Sequence, residues 1–183
     1  MKAVLISIHP QWCEKIAARW KYIELRKSKP NIQMPFKCYI YQTKHKWVFR
    51  LLQRLGMDSV SETLRNGSGK VIGEFVCDSI LGHCEMANAD LAEKGSFVRR
   101  EDIATYSGGK EVFGWHISNL KIYAKSKDLE EFFNRKKCDS CKKSGYESAA
   151  CMYDEDCRVP AVITRPPQSW CYVEELSGEY EGI

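Results

Sequence analysis

The run Trp20-Lys21-Tyr22-Ile23-Glu24-Leu25-Arg26 gathers three charged and two aromatic side chains within seven residues. If Tyr22 to Arg26 is extended, alternation puts Glu24 and Arg26 on one face, with Lys21 at the junction beside them. Lysine and arginine donate to phosphate or to a base carbonyl, and glutamate accepts from an amino or amide N–H. Such a group can hold a nucleotide-sized ligand. A ladder of surface ion pairs would show the same pattern.

Further candidates flank this run. Ser7, His9 and Trp12 follow the first apolar stretch and would sit on the rim of the same cleft. His9 titrates near neutral pH and can act as a base, although Pro10 beside it also fits a rigid structural turn. Trp115 can stack on a base or fill the core. Two prolines in Arg165-Pro166-Pro167 make a stiff turn that can aim Gln168 and Ser169 at a cleft. Lys46 and Arg50 share a helical face and, with Lys44, Lys15 and Arg19, would form a phosphate-facing stripe.

Four cysteines form a second cluster, Cys138-x2-Cys141-x9-Cys151-x5-Cys157. A C-x2-C pair is a usual half-site for tetrahedral zinc, and the flanking Lys136, Lys137, Lys142 and Lys143 favour thiolates. Four thiolates would close the coordination sphere, so the expectation is one structural zinc ion that folds an insertion. A redox pair at Cys138 and Cys141, or unligated thiols, are the alternatives. Cys13, Cys38, Cys77, Cys84 and Cys171 are scattered through apolar patterns and read as core thiols.

The elements that must position these groups follow from periodicity and breakers. Lys2–Ser7 reads as a strand and Pro10–Trp20 as a helix with Cys13, Ile16, Ala17 and Trp20 on one face. Tyr22–Arg26 is extended, Lys27–Pro35 is a loop, and Phe36–Gln42 is a strand. A helix is expected from His45 to Leu55, a strand over Val71–Ile80 and a short helix over Glu101–Tyr106. Then come a strand with an irregular middle over Val112–Tyr123, a short helix over Asp128–Phe133, and strands at Val159–Ile163 and Trp170–Glu174. Many strands with short helices and no regular βαβ spacing predict a mixed α/β, mostly β fold, built on a curved or closed small sheet. NGSGK at Asn66–Lys70 lacks the full phosphate-loop pattern, which excludes an ATP site of that type.

Lys21, Glu24 and Arg26 resemble the charged positions of the ASCH-domain signature G-x-K-x-x-E-x-R, within the PUA-like group, with Arg19 standing where that family has glycine. LISIHPQW, Gly69-Lys70-Val71-Ile72-Gly73-Glu74, VFGWHISNLKIY and RPPQSWCYVEE resemble other segments of a bacterial and phage-associated subgroup. The resemblance implies a small bent β barrel with a cleft, surrounded by short helices. It implies a single domain over 1–183, with a helical insertion at 44–66 and a zinc-binding insertion at 136–159. It also implies binding of RNA or of a nucleotide or nucleoside in a cleft lined by Lys21, Glu24, Arg26 and Glu74. Some members are similar to N4-acylcytidine amidohydrolases that use a lysine, a threonine and a glutamate. Lys21 and Glu74 match two of these, while Glu24 occupies the threonine position and supplies no hydroxyl. Others resemble ribonucleases, in which Tyr41 and Arg26 would stabilise phosphorane charge.

Composition bounds these readings. The 183 residues are 44% hydrophobic and 28% charged, as in a globular chain that buries its own core. No run approaches the roughly 18 apolar residues of a membrane span, and the opening MKAVLISI reads as a strand rather than a secretory signal. The expectation is a cytoplasmic protein with no membrane partner, a monomer or a weak dimer. The net charge of +4 is unevenly spread. Glu14 to Arg50 carries ten basic residues against two acidic, and Glu147 to Ile183 two against eight. One part of the surface should attract phosphate and the C-terminal part should not. A module that binds proteins through its insertions remains the third alternative.

Overall fold

The computed structural model describes residues 1–44, 67–82, 89–137 and 158–176. The expected helix at His45–Leu55, with Lys46 and Arg50, lies outside the described residues, as do Cys84 and the four clustered cysteines.

Strand β1 (Lys2–Ile8) is the centre of the architecture. Its aliphatic run has no breaker, so it can be covered on both faces. It pairs parallel with β3 (Phe36–Gln42), from Val4↔Cys38 to Ile8↔Gln42. It pairs antiparallel with β10 (Trp170–Glu174), from Lys2↔Glu174 to Ile6↔Trp170. β4 (Val71–Cys77) and β7 (Ser118–Lys127) extend the sheet, in the order β10-β1-β3-β4-β7. Alternation along β1 divides two cores. Val4, Ile6 and Ile8 pack with Phe75 and Trp115, whereas Ala3 and Leu5 pack with Tyr39 and Phe132.

Helix α1 (Pro10–Ala17) follows β1 directly. Pro10 occupies its first turn, where a missing N–H costs nothing, and Cys13 and Ile16 are buried three residues apart. The helix stops before the expected Trp20 because Arg19 takes a left-handed φ of 60°. The amides of Trp20 and Lys21 then both donate to Lys15 O, at 2.9 and 3.1 Å. This reversal launches β2 (Ile23–Arg26), which pairs antiparallel with β6 (Phe113–His116), from Ile23↔His116 to Arg26↔Phe113. β5 (Ile80–Leu81) lies on the other side of β6.

Helix α2 (Ala89–Ser96) was not expected from periodicity. It sits tightly on β2 at Gly95, where an added Cβ would lie 2.4 Å from Ile23 Cδ1. The Tyr22 amide donates to Gly95 O at 3.0 Å. Helix α3 (Arg100–Ser107) follows and ends at Gly108, whose φ is 57°. A 3-10 turn (Leu129–Glu131), capped by Asp128 and Glu131, leads into β8 (Phe133–Lys137), which pairs with β9 (Arg158–Val162).

Two expectations are corrected here. The closed barrel is not formed: the described strands make three separate open sheets, of five, three and two strands. Closure needs the two edge strands to pair, and β10 and β7, at the edges of the five-stranded sheet, do not. The ladder also shifts register at Ile40/Tyr41, between Val71 and Gly73, and between Glu74 and Val76, which bends the sheet without joining its edges. The strand expected over Val112–Tyr123 also breaks at Ile117, sending β6 and β7 to different sheets. The structural zinc ion is likewise withdrawn. Among the described residues no group of three or more His, Cys, Asp or Glu side chains could hold a metal. Cys138, Cys141, Cys151 and Cys157 lie outside them, and the described Cys13, Cys38, Cys77 and Cys171 are free thiols.

Candidate ligand-binding site

Lys21, Glu24 and Arg26 converge, and they do so inside the protein rather than on its surface. Lys21 is 2% exposed and Glu24 3%. The Lys21 ammonium donates to Ile23 O and to Ser96 O, each at 2.8 Å. It also lies 3.2 Å from Glu24 Oε2, an ion-pair contact that falls short of hydrogen-bond geometry. Its three protons are thus turned toward protein acceptors. The indole of Trp12 stands 5.3 Å from the same nitrogen.

Arg26 works from the other side of Glu24. Its Nη1 donates to Glu24 Oε1 at 2.5 Å and to Leu25 O at 2.9 Å, and Nη2 donates to Ser7 O at 2.7 Å. Arg26 Nε is buried with no partner. Glu24 therefore sits between two cations. Burial alone would raise its carboxyl, but the Lys21 ammonium and the Arg26 guanidinium outweigh that and hold it below the ordinary carboxylate range. Burial lowers the Lys21 ammonium from its usual value, and Glu24 opposes that shift.

A cavity of about 370 Å³ opens beside this group. Ser7, His9, Trp12, Lys21, Glu24, Arg26, Gln168 and Ser169 line it, together with Leu25, Val98 and Tyr106. The proline turn is fastened to β1: Ser7 Oγ donates to Pro167 O at 2.6 Å, and the Ser7 amide to Ser169 O at 2.9 Å. That stitching sets Gln168 and Ser169 at the cavity wall. His9 stands at the N-terminus of α1, its Nδ1 3.2 Å from Thr43 Oγ1.

Three sequence candidates are elsewhere. Glu74 does not line the cavity; Tyr123 Oη donates to its Oε2 at 2.6 Å, and Lys37 Nζ lies 3.8 Å from Oε1. Tyr41 is buried in the core on the Tyr39 side of the sheet. Trp115 is fully buried in the other core, edge-on to Phe36. Tyr106 and Val98 belong to the site but were not expected. Tyr106 is the one aromatic on α3, and it lines the same cavity as Arg26. A second hollow of about 550 Å³ runs along β10, between Trp170 and Arg135. It is larger but has no buried ion group of this kind.

No protein-family model matches the sequence, and no curated protein matches it. Solved structures do. A tyrosine-to-phenylalanine variant of the ASCH protein from Zymomonas mobilis is 14% identical, with a TM-score of 0.55 over 96% of this chain and 92% of that one. The unsubstituted ASCH protein from the same organism is 13% identical, with a TM-score of 0.55 over 94% and 88%. At this identity the likeness is one of fold. It supports an ASCH-like architecture and says nothing for a zinc-bound four-cysteine insertion, which is not carried forward.

Proposed function

We propose that the cavity takes one nucleoside unit, free or within RNA, and that the protein is an RNA- or nucleotide-binding module. The observation that carries this is the make-up of the cavity wall, which joins the aromatic rings of Trp12 and Tyr106 to Glu24, Arg26 and Gln168. Aromatic faces stack on a base, and carboxylate, guanidinium and amide groups pair with its edge. The volume falls within the range of about 300–1,000 Å³ seen for small-molecule sites. The ASCH-like fold and the basic Glu14–Arg50 segment agree with this reading.

Lys21 serves here as a framework cation, since its protons already have acceptors. A hydrolase that needs Lys21 and Glu74 together is not favoured, because Glu74 lies off the cavity. The test is fluorescence anisotropy of labelled single-stranded RNA at low and moderate salt, with free nucleosides as competitors. Binding should weaken as salt rises. Val98→Trp, which adds bulk to the cavity wall at an uncharged position, should abolish competition by nucleosides. Binding that is absent at low salt, or competition untouched by Val98→Trp, would overturn the proposal.

A further inference from the structure

Trp20 and Phe97 stack on one another at the surface, with ring centroids 6.1 Å apart and planes 21° from parallel. Trp20 is 61% exposed and Phe97 44%. Large aromatics ordinarily go inside, so an exposed pair facing water needs an explanation. The backbone sharpens the point. Three described non-glycine residues have positive φ, and two of them build this pair: Arg19, which precedes Trp20, and Phe97 itself, both at 60°. Bulky residues rarely adopt that conformation, and strain of this kind is retained where a site requires it.

The surroundings are cationic. The Lys15 ammonium lies 4.1 Å from the centre of the Phe97 ring. Arg19 adjoins Trp20 in the chain. Glu93, on the helix that ends just before Phe97, turns one carboxylate oxygen to the Arg100 amide at 2.6 Å. The position in the chain also matters. Trp20 is one residue from Lys21, and Phe97 lies between Ser96, which holds Lys21, and Val98 in the cavity wall.

We infer that the Trp20–Phe97 pair is a stacking shelf for a second, unpaired base of a single-stranded RNA, with Lys15 and Arg19 meeting the phosphate attached to it. This rests on the nucleotide reading of the neighbouring cavity and extends it from one nucleoside to at least two consecutive units. Aromatic faces joined to cations match a base joined to a phosphate, and they bind bases without reading their sequence. An apolar protein partner would cover the rings but leave Lys15 and Arg19 unmatched.

The experiment compares wild type, Trp20→Ala, Trp20→Phe and Val98→Trp. The probes are a labelled 12-nucleotide oligocytidine and an abasic strand of the same length. Trp20→Ala should weaken oligocytidine binding about 5- to 150-fold. Trp20→Phe should restore most of it, and the abasic strand should bind wild type and Trp20→Ala alike. Trp20 is exposed, so the variants should keep the wild-type circular dichroism, which is checked first. Oligocytidine binding within twofold of wild type in Trp20→Ala overturns the shelf, whatever Val98→Trp does. Lost nucleoside competition in Trp20→Ala would also count against it, since the cavity alone should read the free nucleoside. If Val98→Trp leaves binding intact while Trp20→Ala loses it, the cavity reading fails and the shelf stands. A concentration-dependent self-association removed by Trp20→Ala, without any effect on RNA, would assign the pair to a contact between copies and overturn the inference.

Discussion

Replacing Lys21 with methionine tests whether the buried ion group holds the fold. The substitution keeps an unbranched side chain, shorter by the terminal nitrogen, and removes its charge and three protons. Ile23 O and Ser96 O each lose a donor at 2.8 Å, and Glu24 keeps a fully buried negative charge with only Arg26 to balance it. Removing one partner of a buried pair costs about 3–5 kcal/mol, mainly through the charge left behind. Domains of this size are stable by about 5–15 kcal/mol, so the variant should be folded but visibly weakened, or unfolded if the wild type is at the low end. Urea titration at pH 7, followed by far-ultraviolet circular dichroism, gives the difference through the shift in midpoint at unchanged slope. A double-mutant cycle with Glu24→Gln isolates the pair: the double variant should be at least about 1 kcal/mol less damaged than the two single losses added together. The acid limb supplies an independent check. Glu24 is depressed below its unfolded value of about 4.3. Its contribution is therefore fully present above that value and lost as pH falls through the lower folded one. Glu24→Gln should flatten the loss of stability below about pH 4.5. A Lys21→Met variant within about 1 kcal/mol of wild type, with no coupling in the cycle, would refute the reasoning.

Two further substitutions probe the local geometry that positions the site. Arg19→Gly should stabilise the protein by about 0.5–1.5 kcal/mol, because glycine relieves the left-handed φ of 60° and Arg19 makes only a long, exposed contact to Leu120 O; a loss of stability in urea would contradict it. Gly95→Ala should cost about 1–3 kcal/mol, since its methyl would press on Ile23 and on the Tyr22 ring and lift α2 off β2; an unchanged denaturation midpoint would show that the contact yields freely.

Much of the path to the site was legible in the chain. The breaker-free run of β1, the alternation of Tyr22–Arg26 and the prolines before Gln168 all carry local signals, and each local preference agrees with its place in the fold. Three matters were not legible. Alternation puts Glu24 and Arg26 on one face but cannot say that the face is covered; α2, α3 and the proline turn cover it, and they come from distant parts of the sequence. Helix α2 is short and carries Gly95 near its end, so it lacks the sustained stripe that marks a helix. Glu74 lies in a strand whose ladder shifts register on both sides of it, and one such step decides which face a side chain occupies. The sheet stays open where a barrel was expected because its edges β10 and β7 do not pair, and alternation within one strand does not say which strands meet.

The buried group builds the site before it can read anything. Lys21 Nζ, Arg26 Nη1 and Arg26 Nη2 are committed to backbone carbonyls and to Glu24, joining β1, β2 and α2 around the cavity. Glu24 Oε2, 3.2 Å from Lys21 Nζ, and Arg26 Nε are both shielded from solvent. A surface ladder would offer all of its charges to solvent, where water competes for each one. Here the charges are held by the framework, so they fix the shape of the wall that a ligand meets. Net charge needs only to bring the strand to the surface.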